Sequence, residues 1–308
     1  MIVLLGQEEL RKYIVANNLQ PGITIFTPTF NRAHLLGRLY ESLLAQTSKE
    51  LEWVVVDDGS TDNTRETIEG FSAAGQVNIR YIYKENGGKH TAMNVGIQYA
   101  QKEYFLCVDS DDWLVEGAVD MLLSYIADEK PAGIIAYKQE YPGGKRIGPD
   151  FPKNLKQTTL LELINTHHCA GDRTLVYKTE YLKTLKIPEP ADQRFFPETW
   201  LYDRFDEQHA CHLLAQDVCQ CEYQTGGYSD SFRKLMIRNA LSMKWFFADR
   251  IDMPATMAVR FDAAYRYLAF AMMARCPQGR YRGKNWPLLA AAFPAGLMMA
   301  LSYCAHKK

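Results

Sequence analysis

From Gly226 to the end, the sequence contains no glutamate and only four aspartates, set against thirteen lysines and arginines. That segment therefore carries a formal charge of +9 and the preceding part −10, which leaves the chain at −1. Such a tail favours an anionic partner, a phospholipid surface or a pyrophosphate, over nucleic acid. The near-neutral total, with 47% hydrophobic residues, excludes a disordered chain. Disulfide signals are missing too. The seven cysteines form no C-x-x-C pair and no even spacing, which excludes a secreted disulfide framework and points to reduced thiols. His167, His168 and Cys169, or Cys211 and His212 with Cys219 and Cys221, have zinc-ligand chemistry without the spacing of a closed four-ligand site. The apolar stretch Met1 to Gly6 is too short for a signal-peptide core and runs into Glu8 and Glu9, so the chain is expected to stay in the cytoplasm.

What is present is a βα alternation from about residue 22 to 137. The apolar runs Ile23–Thr27, Leu51–Val56, Asn78–Tyr83 and Tyr104–Val108 read as strands, and amphipathic stretches at 33–46 and 89–101 read as helices behind turn signals. This pattern predicts an α/β fold: a mostly parallel sheet with helices on both faces, binding ligand at the carboxyl ends of its strands. Beyond Tyr137 a Pro-, Gly- and Lys-rich loop leads to a helix near Thr158–Asn165. Residues 170–225 read as mixed short elements, and the chain from Ser231 reads as helical. The expected organisation is one domain over 1–230, with a first part at 20–137 and a second at 138–230, followed by a helical basic region over 231–308. The apolar run 287–304 is interrupted by Pro294 and Gly296 and flanked by Arg280, Arg282, Lys284, Trp286 and Lys307-Lys308. At about 18 residues it is short for a span, which needs about 20, and is expected to lie in a membrane interface; a helix packed on the domain is the alternative.

The chemistry concentrates at the predicted strand ends. Asp109-Ser110-Asp111-Asp112 puts three carboxylates where they repel one another unless a cation sits among them. Hard oxygen donors at such a place suit Mg²⁺ or Mn²⁺, completed by the oxygens of a substrate diphosphate. The plainer reading is an acidic turn capping the next helix. A second cluster, Asp57-Asp58-Gly59-Ser60-Thr61-Asp62, can accept from a nucleobase N–H and ribose hydroxyls, or simply cap a helix. A third, Asn86-Gly87-Gly88-Lys89-His90 with Asn94, is a glycine turn opening a helix, where backbone N–H groups and Lys89 can hold phosphate.

Taken in order with Thr27-Pro28-Thr29-Phe30-Asn31-Arg32, these four motifs resemble the family 2 glycosyltransferases of the GT-A fold over residues 20–230. The resemblance implies a Rossmann-like nucleotide-diphospho-sugar transferase domain that moves a sugar from a nucleoside diphosphate donor, a uridine one by expectation, with inversion and with Mn²⁺ or Mg²⁺. It makes 20–137 the donor-binding half and 138–230 the acceptor half of a catalytic domain. It places Thr27, Pro28, Thr29, Phe30 and Asp58 around the base, with Asp58 on the uracil ring, and Asn31, Asp57, Gly59, Asn86, Gly88, Lys89, Asn94 and Ser110 with the donor. Asp109 falls near the ribose, and Asp111 holds the metal with Asp109 and Asp112. An inverting transfer needs a base for the acceptor hydroxyl. The family's Glu-Asp pair is missing, but Phe196–Asp203 resembles the base-carrying segment, which makes Glu198 the expected base and Asp203 the reserve; the alternative for Glu198 is a helix cap. The stretch Glu222–Ser229 is similar to the family's donor-covering loop.

The expected partners are a nucleotide-sugar donor, a glycan or lipid-linked glycan acceptor, and an anionic membrane surface on the inner face of the cell membrane, with no nucleic acid. Two other function classes are weighed. A catalytically silent nucleotide-sugar-binding subunit is consistent with the missing Glu-Asp pair. A nucleotidyltransferase is opposed by the lack of a glycine-rich loop ending in the basic residues that clamp a triphosphate, and no G-x-G-x-x-G follows the first strand to support a dinucleotide oxidoreductase.

Overall fold

The computed structural model describes residues 2–4, 19–222, 228–274 and 281–305, with side chains left out at 2–4, 228–231 and 304–305. Its contacts divide into two compact units, one of residues 1–186 with 208–224 and one of 187–207 with 225–308. Ile187–Glu207, read from the sequence as part of the acceptor half, groups with the C-terminal helices.

The first unit is built on an 11-stranded sheet. In chain order its strands are β1 Ile2–Leu4, β2 Gln20–Thr29, β3 Leu51–Asp57, β4 Ile79–Tyr83, β5 Lys102–Cys107, β6 Asp112–Leu114, β7 Gly133–Glu140, β8 Lys145–Arg146, β9 Gln157–Thr158, β10 Thr174–Lys178 and β11 Cys211–Cys221. The spatial order is β1-β4-β3-β2-β5-β10-β7-β11-β6, with β8 on β7 and β9 on β11. From β1 to β5 every pairing is parallel, β10 is antiparallel to both neighbours, and β7 pairs parallel with β11. The carboxyl ends of β2, β3, β4, β5, β7 and β11 consequently share one edge. Antiparallel β6 returns Asp112 to that edge opposite Cys221.

The strands are apolar on both faces because both are covered. Period-two alternation sends Ile23, Ile25, Trp53, Val55 and Leu106 into a core with Leu36, Leu39 and Leu43 of helix Ala33–Leu44, Ile68 of Thr64–Ala73, and Val119 and Leu122 of Ala118–Glu129. On the other face Phe26 stacks on Phe105 with centroids 5.3 Å apart. Helix Lys89–Tyr99 comes so close there that a Cβ on Gly96 would lie 2.3 Å from the Phe26 ring. That approach fixes the start of the helix, and with it the glycine turn, against the strand edge.

The second unit is helical, with Thr199–Asp206, Tyr228–Arg238, Ala240–Arg250, Met257–Ala274 and Trp286–Ala305. Its buried side chains include Phe196, Phe205, Phe246, Phe247 and Phe270. The expectation of a helical C-terminal region therefore stands.

Candidate active site

The loop after β2 and the loop after β3 are joined through Asn31. Held at φ 53°, Asn31 donates its backbone N–H to Ser60 Oγ (2.8 Å), while its Oδ1 accepts from the backbone N–H of Thr61 (2.7 Å). Asp62 completes the join by accepting from the first helical N–H, Ala33, at 3.1 Å and from the Thr64 hydroxyl at 2.6 Å. Burial is the largest single influence on this carboxyl and raises its pKa, but the bonds from Thr64 and Ala33 together bring it below the usual value. Strand ends, loop and helix start thus form one hydrogen-bonded frame.

Asp58 organises the glycine turn. Its Oδ1 accepts from Lys84 Nζ (2.6 Å) and Gly87 N–H (2.9 Å), its Oδ2 from Gly88 N–H (2.7 Å), and its carbonyl from Asn86 Nδ2 (2.8 Å). Gly59 sits at φ +86°, and a Cβ there would lie 2.8 Å from the Asn86 nitrogen, so only glycine fits. The carboxylate expected to read the base is therefore satisfied from within the protein. Two further residues expected at the donor are likewise engaged within the frame. Asp57 is buried, with Oδ1 on Ser60 N–H (2.7 Å) and Oδ2 on the Tyr81 hydroxyl (2.6 Å). Thr27 is fully buried, with its hydroxyl accepting from Trp53 Nε1 at 2.9 Å. Both side chains hold the frame together rather than facing a ligand. Pro28 is half-buried and Phe30 is 46% exposed. Thr29 is buried, and its hydroxyl has no hydrogen-bond partner among the described residues, an unmet polar group at the strand edge. Asn94 is buried one turn into the helix behind Lys89.

The acidic cluster after β5 shows a charge arrangement that the sequence reading missed. Each of its three carboxylates has its own side-chain cation: Lys89 Nζ on Asp109 at 2.9 Å, Arg32 Nη1 on Asp111 at 3.0 Å, and Lys138 Nζ on Asp112 at 2.6 Å. Arg32 also donates to the buried Ser110 hydroxyl at 3.3 Å, and Lys138 to Asp172 at 2.6 Å. Mutual repulsion therefore does not by itself require a metal ion. Among the described residues no three His, Cys, Asp or Glu side chains converge as a metal shell. Asp112, expected to share in holding the metal, is 7% exposed and paired with Lys138. Burial pushes its carboxyl up to about 7, with Asp109 and Asp111 adding to the rise and Lys138 opposing it. Lys138 stays charged, because Asp112 and Asp172 outweigh the desolvation that would lower it. Asp109 is held below its ordinary range, since Lys89, Lys138 and Arg32 overcome the effect of burial. The side chains of Asp109 and Asp111 are 37% and 22% exposed. These two fit the chemistry of a Mg²⁺ or Mn²⁺ site of one or two carboxylates completed by substrate phosphates, and they do not make an all-protein cage.

Of the two expected bases, both lie in the second unit. Asp203, expected as the reserve base, is 3% exposed and accepts from Arg250 Nε (2.5 Å) and Nη2 (2.7 Å), so it anchors helix to helix. Glu198 occupies the N-cap position of Thr199–Asp206 but makes no side-chain cap bond, and it is half-buried. Of the expected donor-covering loop, residues 223–227 lie outside the described residues.

An open sheet that collects acidic motifs and a glycine turn at one carboxyl edge is a GT-A-type scaffold. TarS of S. aureus (residues 1–349, in complex with UDP-GlcNAc) shares it with a TM-score of 0.59 at 20% identity over 91% of this chain and 81% of that one. Mannosyltransferase PcManGT of Pyrobaculum calidifontis, in complex with GDP-Man and Mn²⁺, superposes with a TM-score of 0.52 at 16% identity over 97% and 88%. The model of Glycosyl transferase family 2 matches residues 24–184, and the chain belongs to that family. Glycosyltransferase GlyG of Streptococcus pneumoniae serotype 4 is 30% identical over 209 residues, 64% of this chain and 66% of GlyG. The match thus spans just under two thirds of that relative's length.

Proposed function

We propose that this glycosyltransferase moves a sugar from a nucleoside diphosphate donor, a UDP-sugar, to a hydroxyl of a glycan acceptor, lipid-linked in polysaccharide biosynthesis, with inversion. The observation that carries the reading is the edge itself: Asp109 and Asp111, each held by a cation, beside the glycine turn that opens helix Lys89–Tyr99. Pairing stores two cations, Lys89 and Arg32, at the place where a diphosphate would arrive. On this reading Thr29, Phe30 and Asn31 border the nucleoside. Asp111, with Asp109, would hold a divalent ion, which supplies positive charge to the departing diphosphate. Lys89 and Arg32 then exchange their carboxylate partners for phosphate oxygens. Glu198 is assigned as the base for the acceptor hydroxyl from its sequence pattern.

The test is release of UDP from a panel of UDP-sugars by the purified chain, with and without Mn²⁺. Metal-dependent release from one donor supports the assignment; no release and no binding of any donor counts against it. A second reading, a silent donor-binding subunit, draws on the absent Glu-Asp pair and on Asp203 being locked by Arg250. It predicts donor binding without turnover on any acceptor.

A further inference from the structure

The C-terminal helix Trp286–Ala305 has two faces that are both apolar, and only one of them is covered. Leu289, Ala292, Gly296 and Ala300, spaced three or four apart, are buried within the second unit. The packing partner is Met257–Ala274, and a Cβ on Gly296 would lie 2.8 Å from Leu268 Cβ and 2.9 Å from the Tyr265 carbonyl oxygen. The opposite stripe follows the same spacing but is open: Trp286 is 57% exposed, Phe293 50%, Leu297 39%, Met298 66% and Leu301 61%. No charged residue interrupts the twenty positions of the helix. A helix on a water-facing surface carries polar residues on its outer side, so this stripe requires an apolar cover.

We infer that the cover is the interface of an anionic lipid bilayer, with the helix lying in the membrane plane. The charge pattern selects this occupant. Arg282 and Lys284 are exposed immediately before Trp286, and the sequence contains no acidic residue after Asp262. Basic groups beside an aromatic residue at one end of an apolar stripe match head groups outside and acyl chains beneath. The packing decides between lying and spanning. The Trp286–Tyr303 window has a mean hydropathy of 1.3 and is long enough to cross. To do so it would have to leave its contact with Met257–Ala274, a helix that carries Arg260, Asp262 and Arg266 and is unsuited to follow it into hydrocarbon. The inference is independent of the catalytic reading.

The full chain is tested with phosphatidylcholine vesicles with and without phosphatidylglycerol. Co-sedimentation is expected with the anionic vesicles, weakened by salt and released by alkaline carbonate. Brominated lipid should quench fluorescence in the parent and lose most of that effect in Trp286→Phe. Replacing Phe293, Met298 and Leu301 together by Ser should weaken binding at least about 100-fold, since each buried apolar side chain contributes roughly 1.5–3 kcal/mol and 1.4 kcal/mol is tenfold. Reversing Arg282 and Lys284 to Glu should remove the preference for anionic lipid. These side chains are exposed, and an unchanged circular dichroism melt confirms that the variants fold. Three outcomes overturn the inference: resistance to carbonate, which means a span; no vesicle binding with a dimer that the Ser variant dissolves, which means a self-interface; and equal binding by parent and variants.

Discussion

Lys138→Met is the sharpest structural perturbation of the site, because it removes the counter-charge of a buried carboxylate while keeping most of the side-chain volume. Lys138 is 8% exposed and Asp112 7%, and their charged atoms are 2.6 Å apart. Without Lys138 the buried Asp112 carboxyl, already pushed up to about 7, takes up a proton, and the loss is that of the charge-assisted bond, about 1.5–3 kcal/mol. The second bridge, to Asp172, adds at most about 1 kcal/mol because the Asp172 side chain is 52% exposed. Urea unfolding of Lys138→Met should therefore show roughly a 10- to 150-fold larger unfolding constant, at 1.4 kcal/mol per decade, with the slope unchanged. Because the chain has two compact units, amide exchange in β7 and β11 reads the first one separately. The double variant Lys138→Met with Asp112→Asn removes both charges and should recover more than half of the loss. A single variant within about 1 kcal/mol of the parent would refute the claim that this pair is a closed, buried unit.

Acidification should weaken the frame through Asp62: its pKa lies below the ordinary 3.8, so the unfolded chain takes up the proton first. The contribution is complete above that value and is lost as pH falls through the folded pKa, and Asp62→Asn should flatten this part of the acid unfolding limb. Gly96→Ala should destabilise by about 1–3 kcal/mol in a thermal melt, since its methyl group would meet the Phe26 ring at 2.3 Å. Arg250→Met should lower the stability of the second unit by about 1.5–3 kcal/mol, read by exchange in Ala240–Arg250, because Asp203, whose pKa burial already raises, would lose both bonds from Arg250.

The parallel half of the sheet was legible because β2 to β5 are short runs that are apolar on both faces and separated by turn residues. The expected runs at 23–27, 51–56, 78–83 and 104–108 fall on strands 20–29, 51–57, 79–83 and 102–107. The far half was not legible. β11 carries Gln216 and Asp217 within it, and its register with β7 shifts on either side of Asp217, so no period survives in Cys211–Cys221. The four motifs could be placed at the site edge, but their charge partners could not, since Arg32, Lys89 and Lys138 reach Asp111, Asp109 and Asp112 across long sequence separations. One signal was available. Lys138 continues the buried positions Ile134 and Ala136 along β7, and a lysine there requires an acidic partner. The partner of Asp203 was hidden for the same reason, since its side-chain type fits a base while its burial against Arg250 is visible only in the fold.

The most direct test of the central claim, that the carboxylates at the strand edge form the donor site, is calorimetric titration of UDP into the parent chain and into Asp111→Ala, each with and without Mn²⁺. The account predicts that Mn²⁺ strengthens UDP binding to the parent by at least about tenfold, 1.4 kcal/mol, and that the variant loses this gain while still folding. Equal metal-assisted binding by both proteins, or no UDP binding by either, would contradict it.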